Sequence, residues 1–240
     1  MRQLSPRQLK ILKAIVEEHV QTGAPVGSEL LEKKYKLGVS PATIRNEMVR
    51  LLDMRYLHQP HTSAGRLPTT SAFKLYISEL MKEKELSVKD EVQIKQELWD
   101  MRRNFDQLVK ASSYVLAQKT KLLSVALTED GDVYHSGAAY ILDIQEFFDI
   151  DVTKAVLALL DQHTMLRRVF ERIMWDSEVS VLMGEELNMN YLEPCSFVFS
   201  RFESEARGTG VIGVIGPSRL NYPVVMPVVR YLGGFISQVG

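Results

Sequence analysis

Only one cysteine, Cys195, occurs in 240 residues. That excludes an internal disulfide and any cysteine-cluster zinc site, and it fits a reducing compartment. No apolar run approaches the ~18–20 residues a membrane span needs, and the polar opening Met1-Arg2-Gln3-Leu4-Ser5-Pro6 lacks the apolar centre of a secretion signal. A cytoplasmic protein with no membrane partner is expected. The five histidines, His19, His58, His61, His135 and His163, fall at no metal-binding spacing, so neither a metal site nor a cofactor is expected. Internal repeats and low-complexity tracts are also missing. What is present is 45% hydrophobic and 25% charged residues, the balance of a globular chain, at a length suited to two domains.

The net charge of −1 conceals a division. Residues 1–76 hold 12 Lys/Arg against 6 Asp/Glu, a net +6, which leaves 17 against 24, or −7, for the rest. A basic head on an acidic body is what a polyanion-binding protein shows, because neutralising phosphates needs local positive charge only.

Local signals place three helices in the head. Ser5-Pro6-Arg7-Gln8 combines a hydroxyl cap, proline at the first helical position and the glutamine of a capping box; Leu9, Leu12, Ile15, Val16 and Val20 supply a core face, and Gly23 a stop. A second helix runs from Ser28 as cap to a stop at Gly38. The third is capped by Ser40, opened by Pro41 and buried along Ile44, Met48, Leu51 and Leu52. Only Gly38-Val39-Ser40 separates the last two, so they cross sharply, as in a helix-turn-helix. A hairpin follows, with a strand at Tyr56–Gln59, a polar turn from Pro60 to Gly65 and a return at Arg66-Leu67, before a helix capped by Thr69 or Thr70. This predicts a winged helix-turn-helix over residues 1–76.

Residues 77–121 read as a helical linker. Leu98, Met101, Phe105, Leu108, Ser112 and Val115 recur at three- and four-residue steps, which suits either a dimerisation seam or an amphipathic helix packed on its own domain. From 122 to 240 strands and helices mix: a hairpin at Leu122–Leu127 and Val133–Ser136, a helical stretch at Val152–Met174, strands at Val179–Met183, Cys195–Phe202 and Val211–Ile215, and a final helix within Ser218–Val239. The expected class is α+β, with an antiparallel sheet in the second domain.

The candidate chemistry sits in the third helix. It opens with Ser40, Pro41 and Ala42, where the helix N-terminus offers free backbone N–H groups to a phosphate. Arg45 can bond guanine in pairs, Asn46 can bond adenine, Thr43 can touch a thymine methyl or a phosphate, and Arg50 lies a turn further toward the backbone. In the wing, His61, Thr62, Ser63, Gly65 and Arg66 offer hydroxyls, a flexible glycine and a cation for a narrow minor groove. Gly208-Thr209-Gly210-Val211-Ile212-Gly213 matches a dinucleotide-binding turn, but the sequence after it is a β-type run where that turn must open a helix. With Cys195 read as a buried small hydrophobe and Asp130 and Asp132 as turn residues, no enzyme is expected.

The segments Arg7–Val16, Thr22–Ser28, Ala42–Met48 and His61–Thr69, together with Gly213-Val214-Ile215-Gly216-Pro217-Ser218-Arg219-Leu220-Asn221-Tyr222, resemble the HrcA family of heat-inducible repressors. The resemblance implies a homodimer on double-stranded DNA, at an inverted-repeat operator ahead of chaperone genes. It also implies a GAF-like domain behind the winged helix and support from a GroEL-type chaperonin that is lost on heating. One departure is plain: familiar members carry a helical insertion in the second domain, whereas here the hairpin near Gly131 runs almost directly into Gly137–Leu142. The rival reading is a ligand-responsive winged-helix regulator whose GAF-like domain encloses a small molecule. A concave pocket with inward polar groups would favour it, and a closed apolar interior would count against it.

Overall fold

A computed structural model of the chain describes residues 4–62, 64–161, 163–171, 178–204 and 208–240. They form two compact units that part between Lys82 and Glu83.

The first unit is built from α1 (Pro6–Thr22), α2 (Ser28–Tyr35), α3 (Pro41–Asp53), an antiparallel pair β1 (Leu57–His58) and β2 (Leu67–Pro68), and α4 (Thr70–Leu75), which widens into a π turn over Tyr76–Leu80. The capping box at α1 forms as predicted: Gln8 N–H donates to Ser5 Oγ at 3.3 Å and Ser5 N–H to Gln8 Oε1 at 2.9 Å. The buried stripe of α1 is rotated from the expected one. Ile11, Leu12, Ile15 and Val16 are fully covered, whereas Leu9 and Val20 are only half-buried. The α2 boundaries also differ, because Gly27 is the cap and Lys36 ends the helix in the left-handed region at φ 46°. Gly38, at φ 72°, is the second left-handed residue of the same turn, and the pair reverses the chain between α2 and α3.

The second unit contains α5 (Val88–Trp99), α6 (Phe105–Thr120), β3 (Leu123–Thr128), β4 (Val133–Ser136), short 3-10 turns over residues 138–148, α7 (Ile150–Asp161), α8 (His163–Glu171), β5 (Val179–Met183), β6 (Cys195–Ser204), β7 (Gly208–Pro217) and α9 (Tyr222–Val239). The part of the expected 152–174 helix beyond 171 lies outside the described residues. The five strands form one antiparallel sheet in the order β4-β3-β7-β6-β5. The chain is thus an α+β protein.

Alternation along the strands gives the sheet two different faces. Leu123, Val125, Leu127, Cys195, Phe197, Phe199, Val211 and Ile215 point one way, into an apolar core closed by α7, α8 and the 3-10 turns. The opposite face carries the buried Ser124, Ser196 and Ser200, and α6 and α9 pack closely on it. Ser113 Oγ on α6 lies 3.1 Å from Ser124 Oγ, and a Cβ on Gly233 of α9 would come within 2.4 Å of Ser200 Oγ.

The seam residues of 98–115 are used inside this unit. The helix breaks at a 3-10 turn over Asp100–Arg103 and restarts at the Asn104 cap, so no continuous seam exists. Leu98 and Leu108 are fully buried and Val115 nearly so. Met101 and Phe105 are half-buried, and the Phe105 ring meets Phe202 of β6 edge-on at 6.0 Å. Between the two readings of this stripe, the helix packed on its own domain is the one the burial fits.

Candidate nucleic-acid interface

Helix α3 begins where Ser40 Oγ accepts the Thr43 N–H at 3.2 Å, and the Thr43 hydroxyl lies 3.0 Å from the same oxygen. Pro41 has no N–H, Thr43's is capped and Ile44's goes to the Ser40 carbonyl, which leaves Ala42 as the free backbone donor of this first turn among the described residues. The anion-binding turn expected from the sequence therefore offers one N–H rather than several.

Arg45 and Asn46 are exposed, and neither side chain has a hydrogen bond or ion pair among the described residues. Behind them sits a carboxylate that sequence reasoning did not single out. Glu47 is 6% exposed, and it accepts from Gln8 Nε2 through one oxygen and from Arg50 Nη1 through the other, each at 3.0 Å. A buried charge of this kind persists only when paired and hydrogen-bonded, and here the pairing ties α3 to the first turn of α1. The signal was present in the sequence: an acid at the i+3 position of Ile44 and beside Met48 falls on the buried stripe. Arg50 is thus engaged on one side, although its side chain remains 65% exposed and keeps donors free.

The β1–β2 loop, expected to be a wing, is more constrained than a flexible polar turn. Gln59 Nε2 donates to the Thr62 and Ala64 carbonyls at 2.8 and 3.2 Å, while His61 and Thr62 stay exposed. Ser63 lies outside the described residues. Val26, in the loop before α2, exchanges two backbone hydrogen bonds of 2.9 Å with Arg66, adding a third rung to the small sheet. Gly65 is needed for that approach rather than for flexibility, since a Cβ would come within 2.5 Å of the Val26 carbonyl oxygen. Arg66 does not project from the wing: it is half-buried, its Nη1 donates to the Ala64 and Gly65 carbonyls, and its Nε is buried without a partner.

Elsewhere the predicted features have structural roles. The glycines of 208–213 lie within β7, hydrogen-bonded to β3 and β6, and a Cβ on Gly213 would lie 2.2 Å from the Val198 carbonyl oxygen. No helix opens there. Cys195 is fully buried, and burial pushes its thiol up to about 12, with Glu146 and Glu193 adding to the shift. The carboxyl-terminal motif locks β6, β7 and α9 together. Ser218 N–H donates to the Pro194 carbonyl at 2.7 Å, Arg219 grips Glu146 with two bonds of 2.5 and 3.0 Å, and the fully buried Tyr222 hydroxyl donates to the Ser218 carbonyl at 2.7 Å. A cleft of about 460 Å³ opens beside α7 and α8, lined by Leu159, Met165, Leu187 and Met189 with Arg168 and Asn188 at its polar margin. Among the described residues no cluster of three or more His, Cys, Asp or Glu could hold a metal, and no helix is long and apolar enough to cross a membrane.

An α+β chain whose first unit presents unpaired Arg45 and Asn46 on a braced helix belongs, by its architecture, among candidate DNA-binding regulators. Comparison with known proteins agrees. The chain is 26% identical to the heat-inducible transcription repressor HrcA of Carboxydothermus hydrogenoformans, covering 98% of both chains, and 27% identical to that of Pelotomaculum thermopropionicum, covering 98% of this chain and 97% of the relative. Both alignments are longer than the chain itself, so these relatives contain segments with no counterpart here. A crystal structure of a hypothetical protein shares the fold, with a TM-score of 0.79 at 16% identity over 99% of this chain and 98% of that one. Residues 68–226 match the model of the HrcA protein C-terminal domain. The chain belongs to the HrcA family of heat-inducible transcription repressors.

Proposed function

We propose that the first unit is a winged helix-turn-helix that lays α3 in the DNA major groove, and that the second is a GAF-like domain through which two copies are held on an inverted-repeat operator of heat-shock genes. Repression is then steric occlusion, relieved on heating. The observation that carries this reading is the pair of exposed, unpartnered side chains Arg45 and Asn46 on a helix fixed from behind by Glu47.

At about 100° per residue, Arg45 and Arg50 lie on opposite shoulders of the exposed strip, with Asn46 between them. Asn46 and Arg45 read base edges, and the free donors of Arg50 meet phosphate. His61 and Thr62 supply a second contact from the wing, while the inward-turned Arg66 supports the loop instead of entering the minor groove.

Arg45→Ala is expected to weaken operator binding by roughly 1–3 kcal/mol and leave scrambled duplex nearly unaffected. Equal losses on both DNAs would remove the base-reading role. Sedimentation of the full chain with a duplex carrying both half-sites tests the dimer: two chains per duplex are expected, and one chain per duplex at saturation would exclude it. Support by a GroEL-type chaperonin, which family membership suggests, is checked by adding purified chaperonin to the same binding reaction.

A second reading has one observation behind it. The cleft beside α7 and α8 has a volume in the range of small-molecule sites and combines apolar walls with Arg168 and Asn188. Against it stands the closed apolar core on that face of the sheet. A ligand-responsive regulator predicts that a small molecule filling the cleft alters operator affinity, and Leu159→Trp should abolish the response.

A further inference from the structure

One side chain on the outward strip of α3 has no role in the assignments above. Val49 is a large apolar residue left 42% exposed, on a helix whose other exposed positions, Ala42, Arg45, Asn46, Arg50 and Asp53, are small or polar. A β-branched residue is a poor choice for a solvated helix position, because it loses χ1 freedom and gains nothing from water. At ~100° per residue, Val49 falls inside the strip that Arg45 and Arg50 bound, about 40° from Arg45 and about 60° from Asn46. Asn46 and Val49 are three apart and therefore neighbours on the helix surface.

A major groove offers one strongly apolar feature, the C5-methyl of thymine, and small apolar side chains are its natural partners. Thr43, the residue to which the sequence assigned that contact, has its hydroxyl and its N–H tied to the Ser40 cap and is half-buried. We infer that Val49 is a specificity-determining residue, whose methyl groups read a thymine C5-methyl next to the base that Asn46 bonds. The inference rests on α3 lying in the major groove, as proposed above. Asp53, one turn further, marks the end of the base-reading strip, since a carboxylate there repels the duplex.

The test uses the full chain and a duplex site selected by it from random DNA. Each thymine of that site is replaced in turn by deoxyuridine, which removes the methyl and leaves base pairing intact. Wild type should lose about fourfold at one position per half-site, the change expected when one methyl leaves an apolar contact. Val49→Ala should bind the unmodified site at least fourfold more weakly and show no further loss at that position. Val49 is exposed, so the variant should melt at the wild-type temperature, and circular dichroism verifies this. Equal sensitivity of both proteins to every deoxyuridine, or indifference of wild type to all of them, overturns the assignment of Val49. Failure of wild type to enrich any sequence overturns the groove reading itself, which is a different outcome.

Discussion

Replacing Glu47 by alanine removes a carboxylate that holds the Gln8 amide on one oxygen and the Arg50 guanidinium on the other, both at 3.0 Å. The two limbs are unequal. Gln8 is 9% exposed, so its freed N–H has no water to turn to, whereas Arg50, with 65% of its side chain exposed, can be resolvated. A hydrogen bond to a charged group contributes about 1.5–3 kcal/mol, and an exposed ion pair adds under about 1. The cost of Glu47→Ala is therefore about 2 kcal/mol, most of it on the Gln8 side. A chain with two compact units does not license a single two-state fit, so the measurement is native-state amide exchange within α1 and α3. Exchange there should accelerate roughly 30-fold, the factor equivalent to 2 kcal/mol. Gln8→Ala and the double variant complete a cycle in which the capping-box loss of Gln8 cancels. A coupling of at least ~1 kcal/mol is expected. If the single effects simply multiply in the double variant, the clamp between α1 and α3 contributes nothing and the bracing of α3 has to be sought elsewhere.

Three other outcomes follow from particular contacts. Glu18 is 4% exposed on its side chain and receives Lys34 Nζ at 2.6 Å and the Tyr35 hydroxyl at 3.0 Å; the Lys34 bond, ahead of the opposing burial, holds its carboxyl below the ordinary 4.5. A lowered folded value means stability that is present above the unfolded value and lost as pH falls through the folded one, so Lys34→Met should flatten the acid limb of the first unit's stability profile below about pH 4.5. An unchanged acid limb would refute it. Gly65→Ala forces a Cβ to within 2.5 Å of the Val26 carbonyl, and the expected result is loss of exchange protection at the Val26 and Arg66 amides, with a cost of about 1–3 kcal/mol; retained protection would show that the loop can shift freely. Cys195, buried with its thiol raised to about 12, should react with a thiol reagent at pH 8 only as fast as the second unit opens, and rapid labelling of the native chain would contradict its placement.

What was legible in the first unit was whatever is decided within a few residues. The Ser5 and Ser40 caps, the prolines that follow them, Gly23 and the short hairpin depend on local backbone chemistry, and the structure reproduces them. The misread features need partners far along the chain. Gln8 and Glu47 are 39 residues apart, and Val26 reaches Arg66 from another loop. Those two contacts make a brace of Glu47, which the sequence reading did not single out, and fix Gly65 and Arg66, read there as a flexible glycine and a cation for the minor groove, against the Val26 backbone.

In the second unit the same distinction separates period from partner. The three- and four-residue recurrence of Leu98, Leu108 and Val115 correctly marks a covered face, but periodicity carries no information about what covers it. A single chemical detail favoured the internal answer: Asn104 stands before Phe105 as a ready N-cap, and its side chain accepts the Gln107 N–H at 3.1 Å, which restarts the helix and breaks any longer seam. The glycines of 208–213 make the complementary point. Their spacing matches a phosphate-binding turn, yet β-branched residues follow them, and Gly210 and Gly213 are small because Phe202 and the β6 backbone lie against them. Residue pattern determines which conformations a segment can adopt at low cost; the neighbour packed against it decides which one is used.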